Sequence, residues 1–122
     1  MTTLSTVLIA LVALLHAYFL VLEMFLWNKP LGRKTFRTTE EFAQASKGLA
    51  ANQGLYNGFL AAGLLWGLTL GAEGYAITLF FLGCVVVAGL FGAATVNRRI
   101  LYIQALPAAL ALLTTVLAHH QA

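Results

Sequence analysis

The sequence predicts an all-α integral membrane protein. It is expected to be a four-helix bundle with both termini outside, on the side of the membrane opposite the cytoplasm. Of the 122 residues, 61% are hydrophobic and only 9% are charged, whereas a soluble domain carries about 25% charged residues. Four apolar stretches each approach or exceed the roughly 20 residues that a helix needs to cross a bilayer core of about 30 Å. These stretches are residues 4–27, 51–71, 75–96 and 100–118, so we expect a single transmembrane domain over residues 1–122.

The positions of the basic residues predict the orientation of these spans. Five of the seven lie between the first and second spans, and the other two lie between the third and fourth. With four spans all seven fall on one side, which the positive-inside rule assigns to the cytoplasm. Topology and anionic headgroups account for these charges, so we expect membrane lipid and no nucleic acid as a partner. The basic residues are Lys29, Arg33, Lys34, Arg37, Lys47, Arg98 and Arg99.

The first span is expected to remain in the protein and not to be removed as a signal peptide. No basic residue precedes it, and its apolar stretch exceeds the roughly 7–15 residues of a signal peptide. Glu23 to Trp27 stand where a small-residue cleavage site would be. The stretch therefore counts as one of the four predicted spans.

The segment after the first span is predicted to contain a cytoplasmic amphipathic helix over about residues 38–50. Thr38 and Glu41 fit a capping box, in which a hydroxyl and a carboxylate bond the free N–H groups at a helix start. Three apolar residues then recur at helical spacing, namely Phe42, Ala45 and Leu49. An apolar stripe on a short polar helix is typical of a segment at the membrane surface.

Small residues recur every four positions in the second and third spans and predict faces where helices approach closely. The second span carries two such ridges on nearly opposite sides, which is more than one neighbouring helix requires. Either the chain forms a homo-oligomer through these glycine ridges, or the second span has several neighbours within one chain. The ridges are Gly54, Gly58 and Ala62; Gly63, Gly67 and Gly71; and Gly89 and Ala93 with Ala88 and Gly92.

One carboxylate and one histidine interrupt the first span. A carboxylate near the centre of a membrane helix costs roughly 2.5–3.5 kcal/mol on insertion scales, so it usually faces a partner or a cavity. Glu23 lies four residues before Trp27, which places it about 6 Å below the cytoplasmic boundary. His16 precedes Glu23 by seven residues, almost two helical turns, so both side chains point the same way.

Amide side chains from other spans reach a similar depth. The second span begins with Asn52 and Gln53 and places Asn57 about one and a half turns in, while the fourth span contributes Gln104. Pro107 frees the backbone carbonyl four residues before it, beside Gln104. We therefore predict a polar pocket on the cytoplasmic side. It is lined by Glu23, Asn52, Gln53, Asn57 and Gln104, and His16, a further candidate for ligand binding or a proton-linked role, lies deeper, near the middle of the membrane.

Each of these polar groups has more than one interpretation. Three roles stay open for Glu23: an ion pair with Arg98 or Arg99, a proton-linked or ligand-binding group, and a side chain that snorkels to the surface. His16 is either a hydrogen-bonded packing residue or a proton relay. The amide side chains either form interhelical hydrogen bonds, worth roughly 0.6–2 kcal/mol each, or contact a ligand.

No cofactor and no metal ion are expected. The sequence contains no zinc motif, phosphate-binding loop, dinucleotide fingerprint or serine nucleophile motif. Cys84 is the single cysteine and is expected to be an inert core residue. His119 and His120 lie close to the C-terminal end of the sequence and are expected to form a solvated tail.

Three blocks of sequence carry a resemblance to a known family. They are Leu22-Glu23-Met24-Phe25-Leu26-Trp27, the Asn-Gln-Gly-x-Tyr-Asn-Gly block within residues 50–61, and Gly92 to Val96 with Gln104 to Pro107. The chain resembles a family of small four-span bacterial inner-membrane proteins known only as a domain of unknown function, over essentially its whole length. The resemblance implies a multi-pass protein of the bacterial inner membrane and leaves the activity open.

In topology alone, the chain is also similar to the membrane-associated proteins of eicosanoid and glutathione metabolism. Those proteins have four spans, external termini and a basic first cytoplasmic loop, and they bind glutathione between the subunits of a trimer. Their second span carries an Arg-x-x-Asn-x-x-Glu motif. Aligned on Asn52, this chain has Leu49 and Leu55 at the two charged positions, so the resemblance does not extend to a glutathione site.

The residues favour binding or proton-linked transport of a small lipophilic molecule at the polar pocket. A membrane-embedded enzyme is the first alternative, with Glu23 and His16 as acid and base on a lipophilic substrate. Two helical turns separate them by about 10 Å, too far for direct proton exchange, which favours binding over catalysis. A non-catalytic accessory or scaffold subunit is the second alternative, in which Glu23 pairs with Arg98 or Arg99.

Overall fold

A computed structural model describes residues 2–121, and every regular element within that range is helical. The predicted all-α class is therefore confirmed. The chain forms two compact units. We call residues 2–13 with 60–121 the terminal unit, and Leu14–Phe59 the central unit.

Four long helices and two short ones make up most of the chain. Each long helix lies close to one predicted span, although the first ends at Met24 instead of residue 27 and the second begins at Lys47 instead of residue 51. The helices are α1 (Thr3–Met24), α2 (Pro30–Phe36), α3 (Glu40–Ala45), α4 (Lys47–Thr69), α5 (Tyr75–Thr95) and α6 (Leu106–Gln121). A 3-10 turn covers Gly71–Gly74, and a π-helical turn covers Leu101–Ala105.

Three helical segments within residues 2–121 are long and apolar enough to cross a membrane: Thr3–Met24, Gly71–Thr95 and Leu101–Gln121. Only 22–28% of the apolar stretch of each is buried inside the chain. The rest of their surface carries large exposed apolar side chains, among them Leu14 and Phe91. Soluble monomers rarely expose apolar surface on this scale, so the chain fits a membrane protein.

α4 is as long as the other long helices but is not one of the three apolar segments. Its first half contains the amides Asn52, Gln53 and Asn57, and five glycines are spread along its length. These residues lower its mean hydropathy. The second predicted span is therefore a helix, and its passage through a membrane stays a prediction.

The core of the terminal unit combines residues from four helices. Because α6 contributes only alanines to this core, its backbone lies close to its neighbours. The buried members of the core are Ile9, Val12 and Ala13 of α1, Leu64 of α4, Leu82 and Val85 of α5, and Ala108 and Ala111 of α6.

Glycines bring α4 and α5 together in the terminal unit. A Cβ atom on Gly63 would overlap the ring of Phe81, and one on Gly67 would overlap the hydroxyl of Thr78. Gly67 also contacts the backbone of Gly74, at the end of the 3-10 turn. The two helices therefore form a close antiparallel hairpin, as the short turn predicts.

The π-helical turn precedes α6 and packs against α5. Within it, the N–H group of Leu106 bonds to the carbonyl of Leu101, five residues earlier. Pro107 follows as the second residue of α6, where a missing N–H group is tolerated. A Cβ atom on Gly89 of α5 would lie only 2.7 Å from the backbone nitrogen of Ala105, so this turn touches the α5 backbone directly.

One expectation about the terminal unit was wrong and another was wrong in part. His119 and His120, expected to form a solvated tail, are exposed, but they belong to α6, and His119 stacks on Tyr75 of α5 with 3.7 Å between ring centroids and an angle of 9°. Cys84 is half-buried and not a core residue. It lines an open groove on α5 together with Phe80, Gly83 and other residues of the same helix.

In the central unit, the residues that directly follow α1 contact α2 and the residue just before α4. The ring of Trp27 lies 4.9 Å from that of Phe36, centroid to centroid, and its Nε1 group donates to Oγ of Ser46 at 3.0 Å. Gly32 packs against the backbone of Leu26, since a Cβ atom there would come within 2.7 Å of the Leu26 carbonyl carbon. The segment between α1 and α4 is thus folded back on its own first residues, Leu26 and Trp27, which follow directly after α1.

The predicted capping box was wrong by one residue. Thr39, not Thr38, caps α3, because its Oγ1 accepts from the N–H group of Phe42 at 3.1 Å. The predicted amphipathic segment is also divided. α3 ends before Ser46, and Lys47 already belongs to α4.

Candidate functional site

Glu23 of α1 and Asn57 of α4 are hydrogen bonded to each other within the central unit. The Nδ2 group of Asn57 donates to Oε1 of Glu23. Asn57 is 6% exposed, and Glu23 is half-buried. The carboxylate that interrupts the apolar helix α1 therefore has a neutral amide as its donor.

The spacing of residues on both helices explains this pairing. Leu20 and Glu23 lie three positions apart and share a face of α1, while Gly54 and Gly58 flank Asn57 on α4. A Cβ atom on Gly54 would lie 3.1 Å from Cβ of Glu23, and one on Gly58 would lie 2.6 Å from Cδ1 of Leu20. The glycines bring the α4 backbone against α1, so the short asparagine side chain reaches the carboxylate.

Both glycine ridges of α4 are thus used within the chain. Gly54 and Gly58 contact α1 in the central unit, and Gly63 and Gly67 contact α5 in the terminal unit. Ala62, which completes the first ridge, is exposed. These contacts favour the explanation in which α4 has several neighbours in one chain, while homo-oligomer formation stays a prediction.

His16 lies two turns before Glu23 on α1 and is fully buried. Its ring meets that of Phe19 edge-on, with 5.3 Å between centroids and an angle of 73°. The distance along the helix axis to Glu23 is about 10 Å. The buried aromatic contact favours the packing role for His16 over a direct acid–base partnership with Glu23.

The other predicted site residues do not take part in the Glu23–Asn57 hydrogen bond. Asn52 and Gln53 are exposed, and neither side chain bonds to Glu23 or Asn57 among residues 2–121. In the terminal unit, Gln104 is a half-buried residue of the π-helical turn, and Arg98 and Arg99 are exposed residues just before it. That these three approach Glu23 stays a prediction.

The sequence did not predict the groups that fix the end of α1 beside the Glu23–Asn57 pair. Trp27 was used only to place Glu23 below the cytoplasmic boundary, whereas its Nε1 group donates to Ser46 nineteen residues later. Asn28 similarly donates from Nδ2 to Oε1 of Gln44 at 3.0 Å. Pro30 was the available signal for α2, because proline is favoured at the first position of a helix.

The pair offers hydrogen-bond chemistry and no metal centre. Within residues 2–121 there is no group of three or more His, Cys, Asp or Glu side chains that could hold a metal ion. A carboxylate has about four lone-pair positions on its two oxygens, and Asn57 donates one hydrogen bond to Oε1 of Glu23. Because Glu23 is only half-buried, a further donor can reach it.

Comparison with known proteins assigns the chain to a family. A family model described as "Protein of unknown function (DUF1304)" matches residues 10–116. The chain belongs to this family. The predicted resemblance to a domain of unknown function is therefore confirmed, and the DUF1304 match includes both Glu23 and Asn57.

A relative with a printed name supports the same assignment. The chain is similar to "Uncharacterized protein YpaA" from Lactococcus lactis subsp. lactis (strain IL1403), with 31% identity over 117 residues. The match covers 94% of this chain and 98% of the relative. No solved structure matches the chain, so the DUF1304 assignment rests on sequence.

Proposed function

We propose that this protein is a four-span protein of the bacterial inner membrane that binds a small lipophilic molecule through Glu23 and Asn57. Both termini lie outside, and the site lies near the cytoplasmic boundary. The observation that carries the proposal is the Glu23–Asn57 hydrogen bond. It holds a half-exposed carboxylate inside an otherwise apolar helix, where such a group is costly and usually functional.

The length and packing of α4 support the fourth span. Its 23 residues extend about 34 Å, enough for a bilayer core of about 30 Å. In the terminal unit it packs antiparallel to the apolar helix α5 through Gly63 and Gly67. If α5 lies in the bilayer, a helix packed along it lies in the bilayer too, which supports α4 as a span.

The distribution of charge supports the same topology. If α4 crosses, the five basic residues before or at its start and the two after α5 lie on one side of the membrane. If only three segments cross, Arg98 and Arg99 lie opposite the other five. The positive-inside rule favours the first arrangement.

The chemistry of the site defines the class of ligand. Hydrocarbon-facing surfaces of α1 and α4 accommodate an apolar body, and Glu23 accepts a hydrogen bond from a hydroxyl or amine head. A half-buried carboxyl group is able to release its proton to water as a hydrogen-bond donor binds to the carboxylate, and to take a proton from water as that donor leaves. Binding is thereby able to couple to proton movement, which is the transport form of the proposal.

The proposal is tested with Glu23→Gln, which keeps the shape of the side chain and removes its charge. Glu73→Gln is the matched control, because Glu73 is an exposed residue of the 3-10 turn. Native mass spectrometry of each protein, purified from membranes in mild detergent, measures any retained small lipophile. A hydrogen bond to a charged group is worth about 1.5–3 kcal/mol, so Glu23→Gln is expected to weaken the affinity for the lipophile at least about tenfold and to lower the retained amount accordingly.

Two results contradict the proposal. A wild-type protein that retains no small lipophile has no such ligand, and equal retention by Glu23→Gln and Glu73→Gln removes Glu23 from the site. The second result supports the accessory-subunit alternative. In that alternative, Glu23 pairs with Arg98 or Arg99, and its bond to Asn57 serves only to join α1 to α4.

A further inference from the structure

The segment between α1 and α4 gathers basic side chains on one short helix. Four of them fall within the nine residues 29–37, which contain no acidic residue. All four lie in α2 or cap it, since Lys29 precedes its first turn and Arg37 follows its last. Lys29, Lys34 and Arg37 are exposed, and Arg33 is half-buried.

The structure fixes this helix at the end of α1. Gly32 of α2 packs against the Leu26 backbone, and the rings of Trp27 and Phe36 are in contact. The headgroup region of a bilayer extends about 5–8 Å beyond the hydrocarbon on each side. With α1 as a membrane span, a helix in contact with the residues that directly follow α1 lies at the depth of the headgroups.

Arg33 carries an unused hydrogen-bond donor. Its Nε atom is buried and has no hydrogen-bond partner among residues 2–121. A buried donor without an acceptor favours rotation of its side chain towards one. Phosphate is the acceptor that a guanidinium group binds with two parallel hydrogen bonds, so a lipid headgroup satisfies this donor.

Arg37 is held beside Arg33 by the backbone. It adopts the left-handed conformation, with φ of 56°, and its N–H group bonds to the carbonyl of Arg33. This C-cap ends α2 and keeps the two guanidinium-bearing residues within one turn of each other. Lys34, in the same turn, adds a third positive charge.

Apolar side chains accompany these charges. Phe25 is 64% exposed and Leu31 is 47% exposed, so both present apolar surface beside α2. The acidic residues of the segment, Glu40 and Glu41, lie on the separate helix α3. Basic residues next to exposed apolar ones are typical of a surface that contacts an anionic membrane interface.

We propose that Lys29 to Arg37 form a docking surface for the phosphate headgroups of anionic phospholipids in the cytoplasmic leaflet. Charge complementarity identifies the occupant, because this surface carries four positive charges and that leaflet is the negatively charged one. The bound headgroups fix the end of α1 at the membrane boundary. This inference rests on the proposed topology, and it does not depend on a ligand at Glu23.

Native mass spectrometry of the full-length protein with equimolar phosphatidylglycerol and phosphatidylcholine tests the proposal. Two double variants each remove two exposed positive charges: Lys34→Gln with Arg37→Gln, and the control Arg98→Gln with Arg99→Gln. Each basic side chain at an anionic surface is worth about a fivefold change in affinity. We expect the α2 variant to lose about 10- to 30-fold of its preference for phosphatidylglycerol. The control removes two arginines that face the same leaflet in the proposed topology but lie outside the segment that holds the buried Arg33 donor, so it is expected to lose several-fold less.

A second measurement needs no substitution. The preference of the wild-type protein for phosphatidylglycerol is expected to weaken when salt is raised from low to molar concentration, because screening shortens the range of charge interactions. Equal losses in the two double variants overturn the proposal, since they show a diffuse effect of net charge. A wild-type protein without preference for phosphatidylglycerol overturns it too.

Discussion

The terminal and central units hold their helices together in different ways. In the terminal unit, glycines and alanines bring backbones together around an apolar core, as at Gly89 and Ala105. In the central unit, side chains far apart in sequence form hydrogen bonds, as between Glu23 and Asn57 or Trp27 and Ser46. Lipid tails are as apolar as leucine, so helix association in a membrane relies on close packing and polar bonds. The terminal unit is held by close packing, whereas the central unit adds polar bonds to the close approach at Gly54 and Gly58, and the chemically active groups lie in the central unit.

The largest expected effect tests the close packing of the terminal unit. Gly89→Ala places a Cβ atom 2.7–2.9 Å from three atoms of Ala105, two of them backbone, so α5 and the π-helical turn must separate. Overpacking of this kind costs typically 1–3 kcal/mol, and we expect about 2–3 kcal/mol here because backbone cannot yield. Denaturation in mixed micelles with sodium dodecyl sulfate measures the free energy of unfolding.

Gly83→Ala is the matched control on the same helix. A Cβ atom on Gly83 meets nothing within 4 Å, so the substitution is expected to be neutral or to stabilise α5 by up to about 1 kcal/mol through helix propensity. If both variants lose the same free energy of unfolding, close approach at Gly89 does not stabilise the terminal unit.

A smaller effect is expected from the polar bond of the central unit. Asn57→Leu removes the donor to Glu23, and interhelical hydrogen bonds in membranes are worth roughly 0.6–2 kcal/mol. Asn52→Leu is the control, because Asn52 is exposed on the same helix and surface changes usually stay within about 0.5 kcal/mol. The same micelle titration compares them. Equal unfolding free energies for the two variants would mean that the central unit does not depend on this bond.

The smallest effect has the opposite sign. Thr115 is fully buried in the terminal unit, and its Oγ1 has no hydrogen-bond partner among residues 2–121. Thr115→Val keeps the shape and removes the unpartnered hydroxyl, so we expect a gain of about 1 kcal/mol in the free energy of unfolding. In the control Thr114→Val, the lost hydroxyl bonds to Leu110 at 3.0 Å, and no gain is expected. A loss of stability in Thr115→Val would show that polar bonds matter in the terminal unit as well.

The positions of the long helices were predictable from the sequence. The rotation of each helix about its own axis, which decides which residues face a neighbour, was not. Long apolar stretches give the positions of α1, α4, α5 and α6 because each must be about as long as a bilayer core is thick. A helix that is apolar on all sides has no periodic pattern to indicate which face meets a neighbour. The cost of burying a carboxylate singled out Glu23, yet the side-chain partners predicted for it were Arg98 and Arg99, and Asn57 was predicted only to lie at a similar depth.

Small residues were the signal that identifies the partner of Glu23. Gly54 and Gly58 mark the face of α4 that approaches α1, and Asn57 lies on that face, whereas Asn52 and Gln53 are exposed. The segment between α1 and α4 was harder to predict, because adjacent threonines make either Thr38 or Thr39 a suitable cap. Hydrogen bonds between residues 16–19 positions apart leave no local pattern in the sequence.

Cys84 provides the protein with a natural attachment point for a spectroscopic probe. It is the single cysteine of the sequence, and it lies half-buried in the open groove on α5. Its position in Tyr75–Thr95 is about 14–17 Å from either end of the helix. A spin or fluorescent label on the unaltered sequence therefore reports the depth of α5 in a bilayer, through quenching by lipid-soluble or water-soluble agents.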